Sequence, residues 1–382
     1  MRSLSEVSLA LFVAIVRAVL RRVSLSAISV AIVGVYVQPG ISQEVAVAYT
    51  TITAPGAGTK SDQGTFPLSI NDPGVITGFY VNSGSYSNQT AVYHGFLRTA
   101  EGTYTTFDAP ASGTKPNQGT QPAAINGAGT IAGMVTDAMG VEHCFLRHST
   151  GTYAIVNVSG AGTASGQGTG CDAINKQGTV TGIFIDAAGT SHGFIRATSN
   201  VFTTFDVAGA GTGAGNGTFP AGINDSGVVA GHFVNDNGDH GFVRDASGNI
   251  TTFDAPGSGG PTGGTTVAAI NDSGTTAGYY NNDGSATHGF VRTSDKTITP
   301  FSVGITDIVL SINNAGAIVG FTVTNNGFRG FVRSTTPSVT KFLPPGCASR
   351  SGVVADHINT AGDVVGYCLA TGGVYNGFLR TP

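Results

Sequence analysis

Two short motifs decide the fold of this chain: INDSGVVAG at Ile223–Gly231 and HGFVR at His240–Arg244. They generalise to Ile-Asn-x-x-Gly-x-x-x-Gly and Phe-aliphatic-Arg, and each occurs seven times, at spacings of 41 to 55 residues. The copies begin at Ile70, Ile125, Ile174, Ile223, Ile270, Ile312 and Ile358, and at Phe96, Phe145, Phe194, Phe242, Phe290, Phe331 and Phe378. Self-similarity at such a period is the signature of a repeat architecture.

The fourth copy predicts four β-strands, at Phe219–Asn224, Val228–Asn235, His240–Asp245 and Ile250–Ala255. Turns rich in Gly, Asn, Asp and Ser separate these segments, and such turns are hairpin signals. Four antiparallel strands in roughly 45 residues is the size of one β-propeller blade. The sequence therefore predicts an all-β, seven-bladed β-propeller with four-stranded antiparallel blades.

The ends of the chain predict how this propeller closes. The fourth strand, Thr-Thr-Phe in its fullest form, occurs at Phe107, Val156, Phe205, Phe253, Phe301 and Phe342. Its seventh copy is the N-terminal segment Tyr49–Ile52, whereas the chain ends after a third strand at Phe378–Arg380. We expect the strand at Tyr49 to complete the last blade, because a closed ring needs this exchange and an open solenoid does not.

Residues 1–48 differ from the rest and form an N-terminal leader, ahead of a propeller domain at 49–382. Arg17, Arg21 and Arg22 precede the apolar run Val23–Val37. This run is too short to span a bilayer and has the length of a signal-peptide core. Ala46-Val47-Ala48 is a plausible cleavage motif, so we expect a secreted, cell-surface or periplasmic protein. A retained signal anchor and a mis-assigned start codon stay open.

The amino-acid composition limits the kinds of partner and cofactor that the protein is expected to bind. The net charge is -4 and charged residues make up 10% of the chain, so no basic surface is available for nucleic acid. The four cysteines lack CxxC spacing, which suits disulfides in an oxidising compartment. We expect Cys347 to pair with Cys368 within one blade and Cys144 with Cys171 between adjacent blades. No cofactor, metal or membrane contact after cleavage is expected, and the protein is predicted to be a monomer.

The recurring polar residues are interpreted as scaffold. Five histidines precede the Phe motif by two residues: His94, His143, His192, His240 and His288. One per blade places them too far apart to share a metal ion. The motif arginines, one in each copy, are interpreted as packing or strand-pairing residues, and outer-strand aspartates are one candidate set of partners in the copies that have them, at Asp108, Asp206 and Asp254.

The motif His-Gly-Phe-aliphatic-Arg, following Ile-Asn-x-x-Gly-x-x-x-Gly, resembles the bacterial extracellular repeat family called HAF. The resemblance covers Tyr49–Pro382 and implies secretion and a propeller-like fold, but no activity. This chain has Gly where the family name has Ala. Copies two, six and seven depart further, at Cys144, Arg329 and Asn376.

Residues that break the repeat are the candidates for function. Asp356 and His357 precede Ile358 on the innermost strand of the last blade, and Asp172 holds the matching slot in the third. These three are the candidate polar site at the channel mouth; otherwise they only line a water-filled channel. Glu101 and Glu142 are interpreted as solvated residues near turns. Tryptophan, the best sugar platform, is absent.

Two functions follow from this reading. The favoured one is a non-enzymatic secreted scaffold that binds a protein or glycan on the face that carries the long links. The alternative is a hydrolase or lyase that acts on a polysaccharide or other polymer in the central funnel.

Overall fold

The computed structural model describes residues 47–282, 286–336, 338–348, 350 and 352–382, and every regular element in them is a β-strand. This confirms the all-β class. The predicted leader lies outside the described residues, apart from Val47 and Ala48. No helix in the described ranges has the length and hydropathy to cross a membrane.

Each repeat forms a unit of four strands, numbered here by unit from one to seven. The N-terminal strand is β1 (Ala48–Ile52). The first strands are β2 (Gly64–Ile70), β6 (Gln118–Ile125), β10 (Gly168–Ile174), β14 (Gly217–Ile223), β18 (Gly264–Ile270), β22 (Thr306–Ile312) and β26 (Val353–Ile358). The second strands are β3 (Ile76–Ser83), β7 (Ile131–Thr136), β11 (Val180–Ile185), β15 (Val229–Asn235), β19 (Thr276–Asn281), β23 (Ile318–Thr324) and β27 (Val364–Leu369).

The outer half of each unit is built in the same way. The third strands are β4 (Val92–Arg98), β8 (Glu142–Arg147), β12 (Ser191–Arg196), β16 (Gly238–Arg244), β20 (His288–Arg292), β24 (Gly327–Arg333) and β28 (Tyr375–Thr381). The fourth strands are β5 (Tyr104–Phe107), β9 (Tyr153–Val156), β13 (Phe202–Phe205), β17 (Ile250–Phe253), β21 (Ile298–Phe301) and β25 (Val339–Phe342). In the fourth unit, the observed strands differ from the predicted ones by no more than two residues at either end.

Burial decreases from the first strand to the fourth. β2 is buried along most of its length, whereas the two threonines of β5 are exposed. Threonine is β-branched and polar, so it suits a strand with one face in water. The hydrophobic core therefore lies between the inner strands of neighbouring units.

The N-terminal strand pairs with the last unit. β1 runs antiparallel to β28, with Tyr49 opposite Arg380 and Thr51 opposite Phe378. Ile52 at its end is fully buried. β1 is thus the fourth strand of unit seven, in the place that the sequence predicts for it.

The hydrogen-bonded sheet is not continuous around the molecule. Parallel bridges such as Gly64 to Tyr375 join five pairs of neighbouring units, but β22–β25 form a separate sheet. A Cβ on Gly64 would lie 2.0 Å from the Tyr375 carbonyl oxygen, so this approach requires glycine. Unit six has Thr306 at this position, and within the described ranges it meets unit five through a backbone hydrogen bond from the Asp307 N–H to the Thr287 carbonyl, at 2.9 Å, in place of a parallel bridge.

The motif asparagines connect consecutive units in a different way. Each side-chain Nδ2 donates to the backbone carbonyl of the asparagine in the next unit, at 2.9 to 3.3 Å. The series is Asn71, Asn126, Asn175, Asn224, Asn271, Asn313 and Asn359, and Asn359 donates back to Asn71. All seven side chains are buried, so each bond satisfies groups that water does not reach.

Both predicted disulfides are present. Cys144–Cys171 joins the third strand of unit two to the first strand of unit three. Cys347–Cys368 joins the link into unit seven to that unit's second strand. Disulfides of this kind indicate folding in an oxidising environment.

Candidate functional site

Each first strand carries a β-bulge, where one residue is skipped in the pairing with the second strand. The skipped residues are Leu68, Ala123, Asp172, Ala221, Ala268, Leu310 and Asp356. These seven are partly or fully exposed, although the preceding part of each strand is mostly buried. Because a bulge turns a side chain out of the regular pleat, this slot is the accessible position of the first strand.

Asp172 and Asp356 occupy this slot in units three and seven. Burial by the surrounding protein raises the pKa of each carboxyl to about 7, from an ordinary value of 3.8. Asp172 is nevertheless exposed at its surface, as expected for a residue lining a narrow wet space, whereas Asp356 is only partly exposed. Water screens Asp172 more effectively, so the shift carries more weight at Asp356.

The structure does not bring the three predicted site residues together. His357 adjoins Asp356, but its Nδ1 accepts a hydrogen bond from the Ile70 backbone N–H of unit one, at 3.5 Å. Ser69, in the same slot of unit one, accepts from Ile125 in the same way. His357 therefore faces the interface between units, and burial lowers its pKa to about 4. Within the described ranges, no group of three or more His, Cys, Asp or Glu side chains could hold a metal ion.

The repeated histidines pair with the outer-strand acids, a role that the sequence analysis gave to arginine. His94, His192 and His240 lie 2.9 to 3.0 Å through Nδ1 from Asp108, Asp206 and Asp254. The predicted Arg–Asp pairing is therefore wrong.

The motif arginines instead stack on aromatic rings. Arg292 lies 4.6 Å from the ring centroid of Phe253, and Arg244 lies 5.1 Å from that of Phe205. In both cases the ring belongs to the fourth strand of the preceding unit. Five motif arginines contact a ring of the preceding unit in this way, whereas Arg98 lies over Tyr104 of its own unit. In those five cases the cation–π contact links the motif Arg to the fourth-strand Phe of the neighbouring unit.

Glu142 was interpreted as a solvated residue, and the structure places it differently. Only 1% of its surface is exposed. It opens β8, in a slot that adjoins the next unit. Its position one residue before a motif histidine was the signal in the sequence, because the residue in this slot is buried in five of the seven copies.

Three slots recur at each interface between units, and we call their residues the interface triplet. The first two are the residue after the second motif Gly and the residue before the motif histidine position, both in one unit. The third lies on the first strand of the next unit, where it pairs with the residue that follows the second motif Gly of that unit. From the interface of units one and two onward, the triplets are Phe79, Tyr93 and Gln121; Met134, Glu142 and Gly170; Ile183, Ser191 and Phe219; His232, Asp239 and Thr266; Tyr279, Thr287 and Ile308; Phe321, Phe328 and Val354; Tyr367, Tyr375 and Phe66.

The triplet between units four and five consists of three polar residues in contact. Thr266 Oγ1 donates to Asp239 Oδ2 at 3.0 Å. The ring of His232 stacks on Phe219 and is hydrogen bonded to the backbone of Val267. Its Nδ1 is buried and has no hydrogen-bond partner in the described part of the chain. Burial lowers the pKa of His232, while the nearby Asp239 charge acts in the opposite direction.

The equivalent triplet between units seven and one is aromatic. Phe66 packs against Tyr367 and Tyr375 with ring centroids 5.0 and 4.7 Å away. Tyr86, from the long turn between β3 and β4, covers Phe66 at 4.5 Å. The interface between units seven and one is therefore filled with aromatic rings, whereas the equivalent interface between units four and five carries hydrogen-bonding groups.

Sequence reasoning passed over the His232 triplet. His232 lies outside the repeated histidine position, and neither it nor Asp239 belongs to the predicted site. When the seven copies are aligned at the two motifs, the position of His232 holds phenylalanine in units one and six. This difference in residue type was the signal available in the sequence.

Comparisons with known proteins leave the family open. No family model matches the chain, and no curated protein matches it either. The resemblance to the HAF repeat thus stays an expectation.

Solved structures show limited similarity. TolB from Acinetobacter baumannii has 10% identity and a TM-score of 0.42, over 88% of this chain and 80% of its own. A puromycin hydrolase has 11% identity and a TM-score of 0.48, over 83% of this chain and 50% of its own. The acylaminoacyl peptidase of Pyrococcus horikoshii has 8% identity and a TM-score of 0.44, over 82% of this chain and 49% of its own. This chain spans about half the length of the last two proteins.

Proposed function

We propose that the seven units are the blades of a closed β-propeller and that the protein is exported. The return of the asparagine series from Asn359 to Asn71 supports closure, as does the pairing of β1 with β28. Two disulfides support passage through an oxidising compartment.

In this proposal the protein is a binding scaffold that holds a glycan or protein partner at the end of the strands where the long links lie. One observation carries it: the repeated polar residues are engaged with one another, whereas the residues that break the repeat face the inner wall or the interfaces beside it. Asp172 and Asp356 lie on bulges, and His232 and Asp239 lie in a triplet. A rigid repeated frame that positions a few divergent residues is the usual design of a binding site.

The experiment is a binding screen of the purified protein against a glycan array and against candidate partner proteins. Specific binding that is weakened by Asp172→Asn, Asp239→Thr or a substitution in the long links supports the proposal. The matched control is Asp254→Ser, which changes the exposed rim of unit four into the His–Ser pair of unit five. Absence of specific binding in both screens contradicts the proposal.

A hydrolase or lyase is the second candidate, and the carboxyls of Asp172 and Asp356 are the observation in its favour. A carboxyl whose pKa is about 7 stays partly protonated near neutral pH, as a general acid requires. The two residues lie in units three and seven, so each would act with different neighbours. Turnover of a polymer substrate that Asp356→Asn or Asp172→Asn abolishes, without loss of folding, would establish this alternative.

A further inference from the structure

We propose that the triplet His232, Asp239 and Thr266 binds a pair of adjacent hydroxyl groups of a saccharide. This inference rests on the proposed binding function and assigns it a place and a ligand class. The hydroxyls would donate to Asp239 Oδ1 and to His232 Nδ1. His232 Nδ1 is covered in the free protein, and a small turn of the ring would uncover it on binding.

The hydrogen bonds within the triplet define which atoms remain for a ligand. Asp239 uses Oδ2 to accept from Thr266, and Thr266 is also hydrogen bonded to the Tyr279 side chain. His232 Nδ1 is buried without a hydrogen-bond partner in the described part of the chain, and it is an acceptor when the neutral ring carries its proton on Nε2. A buried acceptor without a donor is costly, and a ligand hydroxyl would remove this cost.

A comparison with the same three slots at the other interfaces distinguishes this triplet. Among the seven triplets, all of which the structure describes, it is the one in which every residue is polar. His232 and Asp239 are partly exposed and Thr266 is buried, whereas at the interface of units seven and one Phe66 and Tyr367 are buried and Tyr375 is partly exposed. A ligand can approach Asp239 at the polar interface, while aromatic rings fill its counterpart.

The charges select the class of ligand. The seven first strands contain no Lys or Arg, so an anion would meet the Asp239 carboxylate without a cation to offset it. Calcium takes six to eight oxygen ligands, and the triplet offers a carboxylate and one hydroxyl. A neutral ligand with two neighbouring hydroxyl donors matches two neighbouring acceptors, and a sugar ring carries such pairs.

The repeat itself supplies substitutions that keep the packing. His232→Phe copies Phe79 of unit one, which stacks on Phe66 with ring centroids 4.8 Å apart, much as His232 lies 5.3 Å from Phe219. Asp239→Thr copies Thr287 of unit five. Asp254→Ser is the matched control, because it removes a carboxylate from the same unit but outside the triplet.

The test is calorimetric titration of the wild type and these three variants with a panel of neutral mono- and disaccharides. Methylammonium chloride and calcium chloride serve as cation probes. We expect a saccharide to bind the wild type and Asp254→Ser alike. His232→Phe and Asp239→Thr should each weaken binding by about tenfold or more, with unchanged circular dichroism.

The outcomes separate this inference from the proposed function. Saccharide binding that all four proteins share equally overturns the inference, because the sugar then binds elsewhere, but the binding function stands. Binding of a cation probe in place of any saccharide overturns the ligand class and with it the inference. Absence of binding by every probe also overturns the inference, and the glycan and protein screens then decide the proposed function independently.

Discussion

The side-chain Nδ2 of Asn359 donates to the backbone carbonyl of Asn71 at 3.3 Å, across 288 positions of sequence. This bond joins the last unit to the first. The other six bonds of the series join consecutive units, so the bond from Asn359 continues the series from the last unit to the first, beside the bridge between Gly64 and Tyr375.

Asn359→Ala should lower the free energy of unfolding by about 1–3 kcal/mol, because it leaves the buried Asn71 carbonyl without its donor. Urea denaturation followed by circular dichroism measures this change. Asn249→Ala is the control, since Asn249 bonds only within an exposed turn and should change stability by less than about 0.5 kcal/mol. Equal midpoints for the two variants would contradict the role given to Asn359.

Removal of residues 48–52, the strand β1, should lower the melting temperature and promote aggregation. The deletion exposes β28 as an unpaired edge and removes the buried Ile52 side chain, whose burial is worth about 1.5–3 kcal/mol. The reference is a chain that starts at residue 47 and keeps β1. Calorimetric traces that coincide for the two chains would argue against strand exchange.

Replacement of Cys144 and Cys171 by serine should destabilise the protein by about 2–4 kcal/mol, because the disulfide restricts the unfolded chain. The measurement is thermal unfolding of the double variant beside the wild type, with and without dithiothreitol. The reductant should lower the melting temperature of the wild type more than that of the variant. An unaffected wild type would mean that this disulfide contributes nothing to stability.

The carboxyl of Asp356 should make stability fall as pH rises. Its pKa is about 7 in the folded chain against about 4 when unfolded. The folded state therefore binds more protons between these values, and the slope of unfolding free energy with pH is negative there. Asp356→Asn removes the cost of a buried charge, so it should raise stability at pH 8 relative to pH 5.

Urea midpoints of the wild type and Asp356→Asn at the two pH values check this prediction. Asp172→Asn serves as the comparison and should give a smaller difference, because Asp172 is more exposed to water. A variant whose advantage is the same at both pH values would show that the Asp356 carboxyl keeps an ordinary pKa.

Much of the fold could be read from local patterns. The turn Asn224 to Gly227 illustrates why: Asn224 Oδ1 accepts from the Val228 N–H, and Gly227 has a φ of 77°. Both features depend on residue type within a few positions, so the repeat, its strand boundaries and the matching N-terminal strand all leave a mark in the sequence.

The candidate site could be predicted only in part. Asp172 and Asp356 were found because they interrupt a slot that is apolar in the other units. Strict alternation already places Asp356 and His357 on opposite sides of the strand, but it does not anticipate the bulge that leaves Asp356 unpaired between Ala355 and His357. The sequence did not show that histidine, and not arginine, pairs with the outer-strand aspartates. The reason is that the aromatic ring on which an arginine such as Arg244 stacks belongs to the preceding unit.

The sequence by itself determined the strand order of each unit, the number of repeats and the polar residues that interrupt them, because turns and alternation act over a few residues. Only the tertiary structure decided which of those residues meet. His232, Asp239 and Thr266 come from three strands of two units, and their hydrogen bonds form only when those units pack together. The raised pKa of Asp356 has the same origin, since desolvation is a property of the packed molecule and leaves no local trace in the sequence.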